Sequence, residues 1–185
     1  MMLLLFVAVA LVVALLTGGS LKHLARVQVR CSWLVLLSLA IQILIFSDWF
    51  QQHAPQAERL ASLLYGLSLL LLVVVVALNG RVPGFRLIAL GLALNTLVIL
   101  TNGGRMPASL AALRFAGIAD ATEAYAAARA TNSAVITAAT RFWFLGDVFA
   151  SPASWPLSNV FSIGDICITL GAVRFVWAHT HSKAG

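Results

Sequence analysis

The chain has 185 residues, of which 61% are hydrophobic and only 10% are charged, and its mean hydropathy is +0.97. Soluble domains carry about 25% charged residues, so this composition leaves too little polar surface for a water-soluble protein and predicts an integral membrane protein. The net charge of +6 comes mostly from Lys and Arg at the ends of apolar runs, not from a basic stripe with interleaved aromatics, which argues against nucleic-acid binding.

Five apolar stretches are predicted to cross the membrane as helices, because a bilayer core about 30 Å thick needs about 20 apolar residues. In chain order we expect the spans at about 2–17, 31–50, 60–78, 85–101 and 158–178. The first has no basic residue before its apolar run and no evident small-x-small cleavage site, so it is expected to be a retained helix, not a signal peptide. The predicted fold class is therefore all-α: one integral-membrane domain over 1–185, a polytopic bundle of five transmembrane helices.

The loops differ in their basic residues, and this difference predicts the orientation. The loop between the second and third spans holds only Arg59, beside Glu58. The first loop, the third loop and the tail hold Lys22, Arg26, Arg30, Arg81, Arg86, Arg174 and Lys183. We expect a multi-pass protein of the bacterial cytoplasmic (inner) membrane, with its N-terminus outside, its C-terminus in the cytoplasm and an extracytoplasmic segment at about 102–157.

The segment between the fourth and fifth spans is too long for a turn and too apolar for a free loop. Its Ala-rich part, 108–139, predicts one or two helices, and the aromatic cluster at 142–149 predicts a short re-entrant or surface-lying segment. A sixth span over 121–140 is an alternative that Glu123, Arg129 and Asn132 disfavour. No internal repeat is evident.

Ionisable groups inside a span are costly and usually face other helices or water, and Asp165 is the clearest case. If its helix begins near Ser158, Asp165 lies about 10 Å below the outer interface, and the three-four spacing places Ser158, Ser162 and Thr169 on its face. Polar residues of this kind commonly hold transmembrane helices together. The residues expected in such packing are Gln42, Asn95, Ser162 and Thr169.

At the outer face, the run from Asn102 to Pro107 ends the fourth helix sharply, since it holds two glycines and a proline. One interpretation is a helix cap with a structural ion pair from Arg105 to Asp147 or Asp165. The other is an outward-facing polar pocket formed by Asn102, Arg105, Arg141, Asp147, Asn159 and Asp165. Asp147 and Asp165 are also the candidate catalytic residues, because two close carboxyl groups can act as a base and an acid.

The cysteines Cys31 and Cys167 lack metal-ligand spacing and are expected to be inert thiols, and neither a metal nor a cofactor is expected.

Several runs resemble a bacterial membrane-protein family known only as a domain of unknown function. They are Gly-Gly-Ser-Leu at 18–21, Gln42, Asn-Gly-Gly-Arg-Met-Pro at 102–107, Phe-Leu-Gly-Asp at 144–147 and Ser-Ile-Gly-Asp at 162–165. This resemblance covers nearly the whole chain. It implies a membrane protein and carries no established activity.

The last helix also resembles, over a short stretch, the lipoprotein signal peptidases, which are intramembrane aspartyl proteases. The stretch is Asn159 to Gly171, in which Asp165 would match one catalytic aspartate. The Gly-Asn-x-x-Asp-Arg motif that carries the other aspartate in those peptidases is absent here, and Asp147 has no adjacent Asn or Arg.

Three hypotheses for the function follow. The favoured one is a non-catalytic accessory or scaffold component of a membrane complex, whose partners are the lipid bilayer and other membrane-protein subunits. The alternatives are an intramembrane aspartyl hydrolase that uses Asp147 and Asp165, and a small transporter or anionic-lipid binder that uses Arg105 and Arg141.

Overall fold

A computed structural model describes residues 2–53, 58–118, 133–155 and 157–181, and the protein is mostly helical. The helices are α1 (Met2–Leu16), α2 (Leu21–Leu24), α3 (Trp33–Phe46), α4 (Asp48–His53), α5 (Glu58–Leu78), α6 (Phe85–Thr101), α7 (Leu110–Phe115) and α8 (Ile163–Thr180). The strands are β1 (Met106–Ala108), β2 (Ser133–Val135), β3 (Phe149–Ala150) and β4 (Val160–Phe161), and a 3-10 turn covers Trp143–Leu145.

The five long helices pack in a row, in the order α3, α5, α6, α8 and α1. Each of the contacts α3–α5, α5–α6 and α6–α8 joins antiparallel neighbours, whereas α8 and α1 run parallel. Ser20 at the end of α1 donates its backbone N–H to the Thr180 carbonyl at the end of α8, 2.9 Å away. Two ends of the bundle result. We call the end that carries the strands the strand end, and the opposite end, where α1, α5 and α8 finish, the basic end.

The strand end holds a small ordered cap made of two short sheets. β1 pairs in parallel with β2, and β3 pairs antiparallel with β4. Ala108 of β1, Val135 of β2 and Leu113 of α7 form a small buried apolar cluster within this cap. Because Ser133–Val135 is a strand, a helix over the whole of 121–140 does not form; residues 119–132, with the rest of the predicted Ala-rich helices and the sixth span, lie outside the described residues.

The contact between α6 and α8 depends on glycines at heptad spacing on both helices. A Cβ on Gly91 would collide with the backbone of Gly164 and stand 2.8 Å from the Ile168 side chain. One heptad away, a Cβ on Gly171 would stand 2.7 Å from the carbonyl oxygen of Gly84. The two backbones therefore touch directly at two levels, as small residues allow in helix pairs that lack a large apolar core.

Two corners of the chain match, one at each end of the bundle. Asn79 follows α5 in Asn-Gly-Arg-Val-Pro, and Asn102 follows α6 in Asn-Gly-Gly-Arg-Met-Pro. The side chain of Asn79 pairs with both backbone groups of Arg30, and the side chain of Asn102 does the same with Arg141. The chain thus uses the same kind of corner at both ends of the bundle.

The helix positions agree closely with the predicted spans, but their membrane-crossing length is shown for one only. Within the described residues, only Arg59–Leu78 is long and apolar enough to cross a bilayer; Leu5–Leu16, Trp33–Phe46 and Phe85–Thr101 are apolar but shorter. The structure also corrects the start of the last helix. Ser158 closes a turn, since its backbone N–H donates to the Trp155 carbonyl (3.2 Å), and the chain then enters β4. α8 therefore begins at Ile163, five residues later than the predicted start at Ser158.

Candidate functional site

Asp165 lies in the first turn of α8 and forms a closed hydrogen-bonded group with Ser162 and Asn95. Its backbone N–H donates to Ser162 Oγ (3.0 Å) and the Ser162 backbone N–H donates to Asp165 Oδ2 (3.0 Å), which is a capping box. Asn95 Nδ2 on α6 donates to Asp165 Oδ1 (2.8 Å), and Ser162 Oγ donates to Asn95 Oδ1 (2.9 Å). Both carboxylate oxygens therefore accept a hydrogen bond from within the chain.

Glycine makes this group compact. A Cβ on Gly164 would collide with the side-chain oxygen of Asn95, so the amide reaches Asp165 only because residue 164 has no side chain. Thr169, one turn further along α8, donates its hydroxyl to the Asp165 backbone carbonyl (2.8 Å) and not to the carboxylate.

Asp147 sits in the strand-end cap and is positioned by its backbone. Its N–H donates to the Pro107 carbonyl (2.8 Å), and its own carbonyl accepts from the Ser109 N–H (2.9 Å), so it extends the ladder beside β1. Burial away from water, with a smaller contribution from the negative charge of Asp165, raises the pKa of the Asp147 carboxyl to about 7. The two aspartates are therefore near enough to interact electrostatically.

The other residues of the predicted polar pocket are placed differently. Asn102 binds the backbone of Arg141 and leaves the exposed Arg141 side chain free of that contact. Arg105 is half-buried, and among the described residues it forms no ion pair with Asp147 or Asp165. Asn159 acts through its backbone, which bonds to Ser151. The structure thus bonds Asn102 to Arg141, and Asp165 contributes to the raised pKa of Asp147, without one pocket that all six residues line.

A second polar group ties α3 to α5, away from the aspartates. Gln42 Nε2 donates to Ser68 Oγ (3.1 Å), and Ser38 Oγ donates to the Ser68 carbonyl (2.9 Å). Ser68 was not predicted from the sequence, because a single serine on a largely apolar helix gives no chemical signal. Ser62, on the same helix, donates its hydroxyl to the Gly103 carbonyl (3.0 Å) and so holds the corner after α6.

The capping box was readable in the sequence, since Ser-x-x-Asp before an apolar run is a standard helix start. Among the described residues, no three His, Cys, Asp or Glu side chains are grouped so that they could hold a metal ion. Chemically, the site offers one carboxyl, that of Asp147, whose pKa is raised to about 7, and a second, that of Asp165, which is held by two internal donors.

These features define a helical-bundle protein whose helices associate through glycines and buried polar groups, with a small cap at one end. The chain belongs to the family of unknown function DUF5317, whose profile matches residues 26–177 and confirms the resemblance to a domain of unknown function. An uncharacterized protein from Thermotoga maritima is 26% identical over 170 residues, which cover 90% of this chain and 85% of that protein. No solved structure matches the chain.

Proposed function

We propose that this protein is a multi-pass membrane protein in which α1, α3, α5, α6 and α8 are the spans, and that it serves as a non-catalytic scaffold or accessory component of a membrane complex. The observation that carries the first part is the apolar surface. On α3 and α5, Leu36, Ile43 and Leu63 are each more than 60% exposed, at 68%, 63% and 70%. Only 17% of the apolar stretch of α5 is buried, whereas the core helix of a soluble protein is mostly buried.

Charge supports the orientation. Every acidic residue of the described chain lies at the strand end, among α4, the start of α5, Asp147 and the start of α8. The described basic residues of the basic end have no acidic partner there; they are Lys22, Arg26, Arg30, Arg81, Arg86 and Arg174. Among the described residues, the strand end carries four basic residues, Arg59, Arg105, Arg114 and Arg141, against these six. The positive-inside rule, which compares Lys and Arg on the two sides, favours a cytoplasmic basic end.

Cys31 offers a direct test of span and side. It is an exposed free thiol just before α3, at the basic end, and the other cysteine, Cys167, is half-buried in α8. In a Cys167→Ser background, a membrane-impermeant maleimide should label Cys31 in inside-out vesicles and not in intact cells. Labelling in intact cells would reverse the orientation, and loss of the protein from membranes washed with alkaline carbonate would refute the membrane assignment.

The scaffold role is supported by how the polar groups are used. The Asn95, Ser162 and Asp165 side chains bond to one another across the α6–α8 contact, and Gln42 bonds across the α3–α5 contact. These polar side chains are satisfied by hydrogen bonds between helices, and so stabilise the packing of the bundle. The test is purification from native membranes in mild detergent, where a stoichiometric partner protein is expected and a lone, stable monomer would contradict the role.

One observation favours an intramembrane aspartyl hydrolase as the second candidate. The pKa of Asp147 is raised to about 7 with Asp165 contributing, and a carboxyl near neutrality beside another carboxyl is what general acid–base hydrolysis requires. Cleavage of labelled membrane-anchored peptides should then disappear in both Asp147→Asn and Asp165→Asn. Activity that survives either substitution would end this candidate.

A further inference from the structure

A long apolar groove runs between α1 and α8. It has a volume of about 630 Å³, within the range of ligand-binding cavities, and its lining is almost wholly apolar. α1 contributes Phe6, Val9, Ala10 and Val13; the other wall is Phe161, Ile166, Thr169, Leu170, Val173 and Trp177. The Thr169 hydroxyl is already bonded to a backbone carbonyl of its own helix, so it adds no polar demand to the wall.

The groove has the length and direction of a lipid chain. From the start of α8 to Trp177 the helix rises by about 20 Å, which exceeds the roughly 15 Å depth of one leaflet of a bilayer core. α1 and α8 run parallel, so the groove between them follows the helix axes and opens sideways, toward the position that lipid would occupy.

One end of the groove is basic. Trp177 stacks on His181 (ring centroids 4.5 Å apart), and His181 Nε2 lies 3.0 Å from Thr17 Oγ1 at the end of α1. Arg174 is exposed and shares the Leu170 and Trp177 side of α8, since it is four residues after one and three before the other. Lys22 is exposed on α2, which packs against α8.

This end has no competing acid among the described residues. The phosphate of a zwitterionic headgroup already has an attached ammonium group as its counter-charge, whereas the phosphate of an anionic headgroup has none and pairs more strongly with these two cations. Tryptophan at the same level is typical of the membrane interface, where lipid headgroups lie.

We propose that the groove between α1 and α8 binds an anionic phospholipid, with an acyl chain against Val13 and Leu170 and its phosphate between Arg174 and Lys22. The inference rests on the proposed membrane function and adds a defined ligand to it. The family profile begins at residue 26, after α1, so the groove joins a helix outside the matched region to one within it.

Trp177 is a built-in probe. The protein is reconstituted in vesicles that contain either phosphatidylglycerol or phosphatidylcholine with brominated chains, and the Trp177 signal is the fluorescence difference between the natural chain and Trp177→Phe. Brominated phosphatidylglycerol should quench this signal at a lower mole fraction than brominated phosphatidylcholine. Arg174→Gln and Lys22→Gln should each reduce the preference about fivefold. Arg81→Gln removes a cation from the α5–α6 corner of the same end and should change nothing.

Equal quenching by the two lipids would overturn the proposal. So would a Trp177 that neither lipid quenches, together with disulfide cross-linking of Leu170→Cys between two copies, because the groove would then be a helix–helix interface. Carbonate washing of the same vesicles separates the two levels of failure. A chain that washes off refutes the membrane function, and a chain that stays without lipid preference refutes only the lipid site.

Discussion

Asn102 holds Arg141 by the backbone: its Nδ2 donates to the Arg141 carbonyl (2.8 Å), and its Oδ1 accepts from the Arg141 N–H (3.0 Å). The same Nδ2 also donates to the Val98 carbonyl (2.8 Å), so the amide closes the last turn of α6 while it binds a segment 39 residues away. Phe142, which follows Arg141, has φ 50°, a left-handed conformation that is rare for a bulky residue and that the fixed Arg141 backbone stabilises.

Asn79 repeats this arrangement at the basic end. It bonds to Val75 one turn back and to both backbone groups of Arg30, and the following Cys31 has φ 58°. In both corners one Asn side chain supplies hydrogen bonds to a carbonyl of the last helical turn and to the backbone of the residue before a left-handed residue. Without that side chain these backbone groups would lack a partner. The corners therefore fix where the segments before α3 and after β2 join the bundle.

Replacing Asn102 by Ala should loosen the strand end without unfolding the bundle. The Arg141 N–H loses its acceptor, and the free energy of unfolding should fall by about 2 kcal/mol. Hydrogen exchange followed by mass spectrometry should show faster exchange over 141–147 and little change in α3. Asn159→Ala is the control, since among the described residues the Asn159 side chain makes no hydrogen bond; equal exchange in the two variants would show that the amide pair is not what holds the segment.

The sequence predicted the helices well and the strand end poorly, for a physical reason. A long apolar run bounded by Gly-Gly or Asn-Gly predicts a helix from its local sequence alone, as at 85–101, where prediction and structure coincide. The cap is built from strands of two or three residues, too short for a recognisable alternating pattern, and β1 pairs with β2, which lies 27 residues further along the chain. The late start of α8 at Ile163 follows from the pairing of β3 with β4 and from the Ser162 cap.

The candidate site divides in the same way. The sequence indicated Asn95, Ser162 and Asp165 because polar residues are rare within apolar runs. It did not show that Asn95 bonds to both others, since this depends on the close approach that Gly91 and Gly164 permit. Whether the predicted pocket binds or catalyses anything stays a prediction.

Asp147 should make stability depend on pH with a defined sign. Its pKa is raised from 3.8 in the unfolded chain to about 7 in the folded protein, so the unfolded state releases the proton first as the pH rises. The stabilising contribution is therefore complete below about pH 4 and is lost as the pH rises to about 7, by up to about 4 kcal/mol. Unfolding in detergent micelles, measured from pH 4 to pH 8, should show this decline.

Asp147→Asn should remove this part of the pH dependence, since the amide does not titrate. Asp165→Asn should retain a smaller decline that ends at a lower pH, because the charge of Asp165 contributes to the raised pKa of folded Asp147 and not to the pKa of the unfolded chain. A decline of the same size in Asp147→Asn would assign the pH dependence to another group.

Gly91→Ala should weaken the α6–α8 contact strongly. The new methyl group would collide with the Gly164 carbonyl and stand 2.8 Å from Ile168, so the two helices must separate, at a cost of about 2 kcal/mol or more. Gly80→Ala is the matched control, because its nearest neighbour would be the Ala77 carbonyl at 3.2 Å and it lies outside the helix contact. Thermal unfolding in micelles should give a Tm for Gly91→Ala well below that of Gly80→Ala. Similar Tm values would mean that the helices do not touch at Gly91.

Thr96 provides a test in the opposite direction. It is 4% exposed on α6, beside Asn95, and its buried hydroxyl has no hydrogen-bond partner within the described part of the chain. Valine has nearly the same shape without the hydroxyl, so Thr96→Val should raise the free energy of unfolding by about 1 kcal/mol, since an unsatisfied polar group leaves the interior. The matched control is Thr180 on α8, which is equally buried, at 1% exposed, but donates to the Val176 carbonyl (2.8 Å). Thr180→Val should therefore destabilise the protein where Thr96→Val stabilises it. Denaturation in micelles of increasing denaturing strength should give the highest stability for Thr96→Val, an intermediate one for the natural chain and the lowest for Thr180→Val. If both substitutions lower the stability, the Thr96 hydroxyl has a partner, and α6 carries a polar contact beyond the one at Asn95.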